Sequence, residues 1–573
     1  MLKKCLFMFK WMILIYVVLG FLVQFFIAFG IRTFQELVDK VVLSVSFNDV
    51  ASYIVLYGAL LAGAVIVNYL LEYPHTYLSN SILEKLKVMA LSKVSKIDYS
   101  AYQNIGTGEM IKVIENGASA GMNIIHSFYL RILHELLPTI IFSLFFISLY
   151  NLNAMLIIAA GYVVIFFLNN LLLRMLYQIK SSLLESQEKM SKYSIRGFME
   201  LVVFRLNKRY EKEIRRLHNK ADDIVKKSTQ IRMIHESFFS IFALLVNIIK
   251  IFVLVYGVKS VLSGESSIGV IIALIMLIDQ VYTPIAIFNV LYVDYKLNRV
   301  TYTRFEEFLN APEDLNLEKG REVKSLNGNI EFKNVDFSYG DSRQLSNITF
   351  SVKQGSYIAI VGLSGSGKST IIKLMLGLLK KKSGHVLYDG IDIDEIKLNS
   401  LYDHVSYISQ EAPIFDTTIR ENIVFDNEIA DDQIYGILER VHLKEKVVSF
   451  PNRLDTMVGE RGLKLSGGER QRLAFARIIA QQRNIVILDE PVSALDNITE
   501  KSIMNSMLKM FTGKTLIVIA HRLHFIKHVD KILLVKDGQI VDEGDFEYLI
   551  NSSVYFQELW NRGVQNKSES NDC

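Results

Sequence analysis

The stretch YIAIVGLSGSGKSTIIKLMLGLL, Tyr357 to Leu379, decides the fold of the second half of this chain. It opens on five residues of buried-strand pattern, passes through a loop of glycine and serine, and continues into a helical run. A strand, a glycine-rich turn and a helix N-terminus in that order form a phosphate site. Backbone N–H groups and the positive end of the helix face the anion, and small residues let the chain close around it. Gly362, Ser364, Gly365, Gly367 and Thr370 are the expected cradle. Lys368 is expected to reach the β- and γ-phosphates and Ser369 to ligate Mg²⁺, so the expected ligands are ATP and Mg²⁺.

About a hundred residues on, a second apolar strand, NIVILDE, ends in Asp489 and Glu490. A carboxylate at such a strand end suits Mg²⁺, and the next suits a general base that activates water, so Glu490 is the expected catalytic base. Between the two strands lies LSGGER, Leu465 to Arg470, a serine and two glycines opening a helix. That is either an ordinary helix cap or a second anion site.

Working outward, the chain divides sharply. Of its 573 residues 51% are apolar, mean hydropathy is +0.27, and the apolar excess sits in the first three hundred residues. The rest has the composition of a soluble α/β domain. A formal charge of +4 and the lack of a basic, aromatic-interleaved patch argue against nucleic acid as a partner. The two cysteines, Cys5 and Cys573, lie at opposite ends and offer neither a disulfide framework nor a thiolate metal site.

Six stretches approach the roughly 20 apolar residues that a spanning helix needs. They fall near 11–31, 51–71, 129–150, 154–174, 237–259 and 268–293. Basic residues cluster before the first span and after the second, fourth and sixth, so both termini are expected in the cytoplasm. The opening MLKKCLFMFKW reads as the flank of a retained signal-anchor, with no cleavage site. The bilayer is therefore a partner, and the expected location is the cytoplasmic membrane. The connection FRLNKRYEKEIRRLHNKADDIVKK, Phe204 to Lys227, mixes charge with apolar residues at helical spacing, which predicts long cytoplasmic extensions of the spans. Turns near 99–108 and 197–209 are the candidates for docking on the ATP-binding part. Lys250 and Asp279 stand at similar depth in adjacent spans; they either pair with each other or line a substrate path. Arg131, His134 and Glu135 are expected near the cytoplasmic end of the third span.

In combination, GLSGSGKST, LSGGER and NIVILDE resemble the ATP-binding cassette family, specifically exporters in which one membrane domain precedes one nucleotide-binding domain. The resemblance runs from the first span to about Ile550. It implies that Ser466, Gly467 and Gly468 cap a nucleotide held by the opposite subunit, so a second copy of the chain is the expected partner, with a heterodimer as the alternative. It also implies roles for Tyr339 in FSYG (adenine stacking), Gln410 in YISQE (Mg²⁺ and the attacking water), Asp496 in SALD (the dimer interface) and His521 in IAHR (the γ-phosphate). TMVGERG, Thr456 to Gly462, resembles a segment of exporters that touches the membrane domain. Val492 departs from the family's threonine.

The expected fold is thus a six-helix membrane domain (1–310), a linker (311–328), an α/β phosphate-loop ATPase domain (329–560) and a disordered tail (561–573). The expected activity is ATP hydrolysis coupled to export of an amphipathic small molecule, lipid or peptide. An exporter-fold importer of a metal chelate and an ATP-gated channel or sensor are the alternatives. No peptidase domain precedes the first span, so a peptide cargo would be processed by another protein.

Overall fold

Strands that read as unbroken apolar runs must be covered on both faces, and in the computed structural model of the chain they are. The structure describes residues 6–43, 46–150, 155–156, 158, 160–161, 178–180, 182–183, 186–187, 190, 205–208, 210–340, 342–410, 413–425, 427–459, 462, 464–490, 510–520 and 523–568. It divides into two compact units, Met1–Ser95 with Ile105–Ala311, and Lys96–Asn104 with Pro312–Cys573.

In the second unit, β1 (Ile330–Tyr339), β2 (Ser342–Val352), β4 (Ser383–Tyr388) and β5 (Ile391–Asp392) form one sheet in the order β2-β1-β4-β5. The other, in the order β10-β9-β3-β8-β7-β6, contains β3 (Tyr357–Val361), β6 (Val405–Ile408), β7 (Ile485–Asp489), β8 (Thr515–Ile519), β9 (Lys531–Lys536) and β10 (Gln539–Gly544). Its strands β3, β6, β7, β8 and β9 run parallel. Successive residues of its central strands enter two different cores, because side chains alternate across a sheet. Tyr357, Ala359, Val361, Val486, Leu488, Leu516 and Val518 pack on one face. Ile358, Ile360, Ile485, Ile487, Ile517 and Ile519 pack on the other. The segment read as a linker is packed rather than loose: Val323 and Leu326 are buried in the second core. Part of the expected tail is helical, since the last helix covers Val554–Ser568.

In the first unit, α1 (Lys10–Leu43), α2 (Phe47–Val94), α4 (Gly108–Tyr150), α5 (Tyr210–Leu262) and α6 (Ile268–Leu309) are each long and apolar enough to cross a membrane. The short helix α3 (Tyr99–Ile105) lies between α2 and α4. The expected span at 154–174 lies almost wholly outside the described residues, as does the turn at 197–209 apart from 205–208. α6 is the most enclosed span, with 56% of its apolar window buried against 11–33% for the other four. Their outward faces carry large apolar side chains such as Val55, Val65, Ile66 and Phe252, as lipid contact requires. Lys250 and Asp279 do pair, Nζ lying 2.6 Å from Oδ1 and 2.7 Å from Oδ2.

Asp39, in α1, accepts from the Gly269 N–H at 2.8 Å and the Ser267 hydroxyl at 2.6 Å, placing a carboxylate at the positive start of α6. Lower down, α4 meets α6 through glycines four residues apart. A Cβ on Gly117 would lie 2.4 Å from Phe305, and one on Gly121 would lie 2.9 Å from Tyr302. Small residues on one helix face allow this approach. Replacing Gly117 with Val should therefore force α4 off Phe305 and cost about 1–3 kcal/mol. Thermal unfolding of the purified protein in detergent checks this; an unchanged midpoint would show that the helices are not held in contact there.

Candidate nucleotide-binding site

The phosphate loop grows from the end of β3 and closes on α7 (Lys368–Met375). The turn demands glycine at named points. Gly365 and Gly367 have φ of +81° and +107°, which side chains resist. A Cβ on Gly362 would sit 2.2 Å from the Val535 carbonyl. Lys368 is buried and folds back over the loop, donating to the carbonyls of Gly362 at 2.9 Å and Leu363 at 2.8 Å. Burial pulls its ammonium below the ordinary lysine value, against the opposing influence of Glu490 and Asp489. A loop that wraps a buried cation is poised to receive phosphate oxygens.

β7 delivers the carboxylates to the same edge. Asp489 is buried, and burial first, then the adjacent Glu490 charge, push its carboxyl above the usual range, while the Ser369 hydroxyl that bonds it and Lys373 and Lys368 pull the other way. Its Oδ1 is buried with no hydrogen-bond partner. Such an atom is costly by roughly 1–3 kcal/mol. A buried carboxylate oxygen of this kind suits a cation ligand, so Ser369 and Asp489 are the residues that would hold Mg²⁺, which when bound would offset phosphate charge. Glu490 takes φ of +51°, a strained value for a side chain with a Cβ. Gln410 Nε2 donates to Glu490 Oε2 at 2.8 Å. The expected water-activating pair is thus joined directly.

Tyr339 ends β1 and stays 42% exposed, with Phe337 edge-on to it at 4.7 Å; one ring face is available for stacking. Ser466 is the N-cap of α8 (Gly467–Gln481), accepting from Glu469 N–H at 3.2 Å while Glu469 returns to the Ser466 N–H at 2.7 Å. Within one chain the LSGGER segment is therefore a capping box, with Gly467 and Gly468 at the helix start. Asp496, His521 and Val492 lie outside the described residues, as do Glu460 and Arg461 of TMVGERG. Among the described residues, the structure brings Lys368, Ser369, Asp489, Glu490 and Gln410 to one edge.

One contributor comes from the turn near 99–108, a docking candidate by its spacing in the sequence. Lys96–Asn104, which links two membrane spans along the chain, belongs to the ATP-binding unit. It is pinned there by Ile97 pairing with Glu313 and by Asp98 N–H donating to the Pro312 carbonyl at 2.9 Å. Tyr99 then packs against the second core, with the Lys373 ammonium 5.7 Å from its ring centre. Burial foremost, and then the charges of Asp489 and Tyr99, raise the pKa of the Tyr407 phenol on β6. Tyr99 thus lies against Lys373 of α7 and within electrostatic reach of Tyr407 on β6, the strand beside β7. Spacing marks the turn as a docking candidate, but nothing in the sequence marks Tyr99 as the side chain that packs.

Comparison with known proteins came from two family models and from individual relatives. The model described as "ABC transporter transmembrane region" matches residues 13–285, and the model described as "ABC transporter" matches residues 345–493. The chain is 34% identical over 356 residues to "Uncharacterized ABC transporter ATP-binding protein YwjA" of Bacillus subtilis, a match covering 62% of each chain. It spans less than two thirds of that relative's length. It is 29% identical over 531 residues to "ABC transporter B family member 24, mitochondrial" of Arabidopsis thaliana, covering 90% of this chain and 77% of that one. Among solved structures, "Structure of a bacterial Atm1-family ABC exporter with ATP bound" superposes with a TM-score of 0.82 at 24% identity, covering 96% of this chain and 98% of the other. That likeness shows the fold.

Two variants test the site. Lys368→Ala should weaken binding of a fluorescent ATP analogue at least tenfold, about 1.4 kcal/mol. Tyr99→Ala should leave that affinity within about twofold yet lower phosphate release several-fold. Equal turnover in Tyr99→Ala and the parent would remove Tyr99 from the path to Asp489.

Proposed function

The chain belongs to the ABC transporter family, a multi-pass membrane protein with an N-terminal membrane domain and a C-terminal nucleotide-binding domain, and from that premise we propose that it is an ATP-driven exporter of amphipathic substrates. The observation that carries the reading is the meeting, at one sheet edge, of the phosphate loop, a buried unpartnered Asp489 oxygen, and Glu490 held by Gln410. In this reading Lys368 and the loop N–H groups bind the phosphates, and Tyr339 stacks on the base. Glu490 accepts a proton from the attacking water at its carboxylate, and Gln410 fixes the orientation of that carboxylate. His521 and Asp496 would serve the γ-phosphate and the interface.

The LSGGER cap supports a dimer. Its serine and glycines stand at a helix start, where N–H groups favour an anion, and one chain's phosphate loop already provides its own helix start at α7. A second copy would supply Ser466, Gly467 and Gly468 across the interface, giving two composite sites. Closure of the two ATP-binding domains would then drive the membrane helices from inward- to outward-facing through turns such as Lys96–Asn104. The proposed location is the cytoplasmic membrane with both termini inside. Intact carboxylates on this chain favour a homodimer.

Glu490→Gln keeps the shape and the Gln410 bond while removing the base. It should lower steady-state phosphate release by 10²–10⁴-fold without loss of ATP binding, and the ATP-loaded protein should run as a stable dimer in size-exclusion chromatography. Turnover within tenfold of the parent would refute Glu490 as the base.

A further inference from the structure

The membrane unit holds a cluster of polar residues that ATP chemistry does not use. It centres on α4, whose regular winding breaks into two π-helical stretches, Asn123–Leu130 and Ile132–Leu136. Such stretches are rare and recur at functional positions, because each turns side chains out of helical register. Here they carry His126, His134 and Glu135, with Arg131 between them. The sequence reading put Arg131, His134 and Glu135 near the cytoplasmic end of a span. The structure sets His134 beside Gly20, about 14 Å along α1 from Trp11 at 1.5 Å per residue. A Cβ on Gly20 would lie 2.3 Å from the His134 carbonyl, so this approach of α1 and α4 depends on glycine.

His134 is buried and both ring nitrogens are engaged. Nδ1 lies 2.9 Å from the Leu130 carbonyl, which can only accept, so Nδ1 carries the proton. Nε2, 3.0 Å from the Tyr16 hydroxyl, therefore accepts from it, and Tyr16 in turn accepts from His75 Nδ1 at 3.0 Å. This chain of bonds ties α1, α2 and α4 together and fixes the imidazole. His126, edge-on to the His75 ring with ring centres 4.6 Å apart, has a buried Nε2 with no hydrogen-bond partner.

Next to the chain lies a cavity of about 540 Å³ lined by α1, α2 and α4, including Val23, Gln24, Leu71, Asn68, His134 and Glu135. That volume is in the range of small-molecule sites. Among the described residues lining it, the one charged group is the Glu135 carboxylate, whose Oε2 accepts from Arg131 Nε at 2.7 Å. A carboxylate has lone pairs for several donors, Gln24 and Asn68 add amide oxygens, and the wall between them is apolar. A polar pocket at membrane depth is expensive to keep and is retained where something polar enters.

We propose that this cavity binds an amphipathic cation carrying N–H donors, its charged head at Glu135, Gln24 and Asn68 and its apolar body along Val23 and Leu71. The Tyr16–His75–His134 chain positions the back wall. The proposal rests on the export reading in that the bound cation would be cargo. The same chemistry is met by the ammonium head of phosphatidylethanolamine, so the lipid is a second source.

The test uses the full chain in phosphatidylglycerol nanodiscs without nucleotide. The probe is rhodamine 123, a cationic xanthene with amino donors, read by fluorescence anisotropy. Its counterpart is fluorescein methyl ester, the same skeleton with oxygen in place of nitrogen. Rhodamine 123 should bind at least tenfold tighter than the ester. Glu135→Gln should weaken it at least tenfold, and Asn68→Leu, which leaves the Arg131 pair intact, several-fold. Weaker rhodamine binding in discs containing phosphatidylethanolamine assigns the site to the lipid head, and unchanged binding assigns it to a soluble cation. Equal binding of the two dyes, or of rhodamine 123 to the parent and to both variants, overturns the proposal. Because no ATP is present, Glu490→Gln protein should bind the dye like the parent. Dye binding without ATP-driven transport would sink the export reading and leave the site, whereas transport with binding indifferent to both variants would sink the site alone.

Discussion

Parallel pairing of β3, β8 and β7 is the constraint from which the ATP site follows. The register sets Ile360 level with Ile519 and Ile519 level with Asp489. The phosphate loop and the two carboxylates therefore emerge at the same edge, two strand spacings apart, which is roughly 10 Å. Slipping β7 by one residue would turn Asp489 to the opposite face. Two buried cores hold the register, since each central strand feeds alternate side chains into both. The cost concentrated at this edge is visible as a buried unpartnered carboxylate oxygen, a lysine pulled below its ordinary pKa and a strained Glu490 backbone. All three are of the kind that a polyphosphate with a divalent cation would relieve.

The ATP-binding half was legible in sequence because its chemistry is local. A glycine with positive φ, a lysine one residue into a helix and an acid at a strand end each depend on neighbours within a few positions, so Gly365, Gly367, Lys368, Asp489 and Glu490 could be named from their order alone. The Gln410–Glu490 bond depends instead on β6 lying beside β7. Only the family resemblance suggested it, because residues 80 positions apart leave no trace in periodicity. The LSGGER segment illustrates the limit from the other side. Its fold is a helix cap, as spacing predicts, and nothing within a single chain reveals the second subunit that would give the cap another use.

The membrane half was legible as spans and opaque as contacts. Hydropathy locates an apolar helix but weighs every apolar face alike, so it could not rank α6 as the enclosed one. Lys250 and Asp279 could be matched because each is a lone charge at a countable depth. The Tyr16, His75 and His134 chain could not, because aromatic and imidazole groups are common at membrane boundaries and the π-helical winding that gathers them has no sequence signature. Gly20 likewise reads as a neutral residue in a span until the backbone pressed against it is seen.

The segment Lys96–Asn104 ties these levels together. Charge counting assigned it to the inner side, and spacing made it a candidate turn for docking on the ATP-binding part, the unit it joins. Its backbone is held by bonds to Pro312 and Glu313, and the first of its two tyrosines, Tyr99, has its ring centre 5.7 Å from the Lys373 ammonium. The Lys373 ammonium also acts on the Asp489 carboxyl, drawing its pKa down against the larger effect of burial. A change in nucleotide or cation charge at Asp489 therefore acts on the elements that Tyr99 touches. Loss of the Tyr99 ring would on this account act on turnover at this edge rather than on how tightly it holds nucleotide. The tyrosine thus sits on the stretch of chain between two spans, beside a lysine whose charge reaches Asp489.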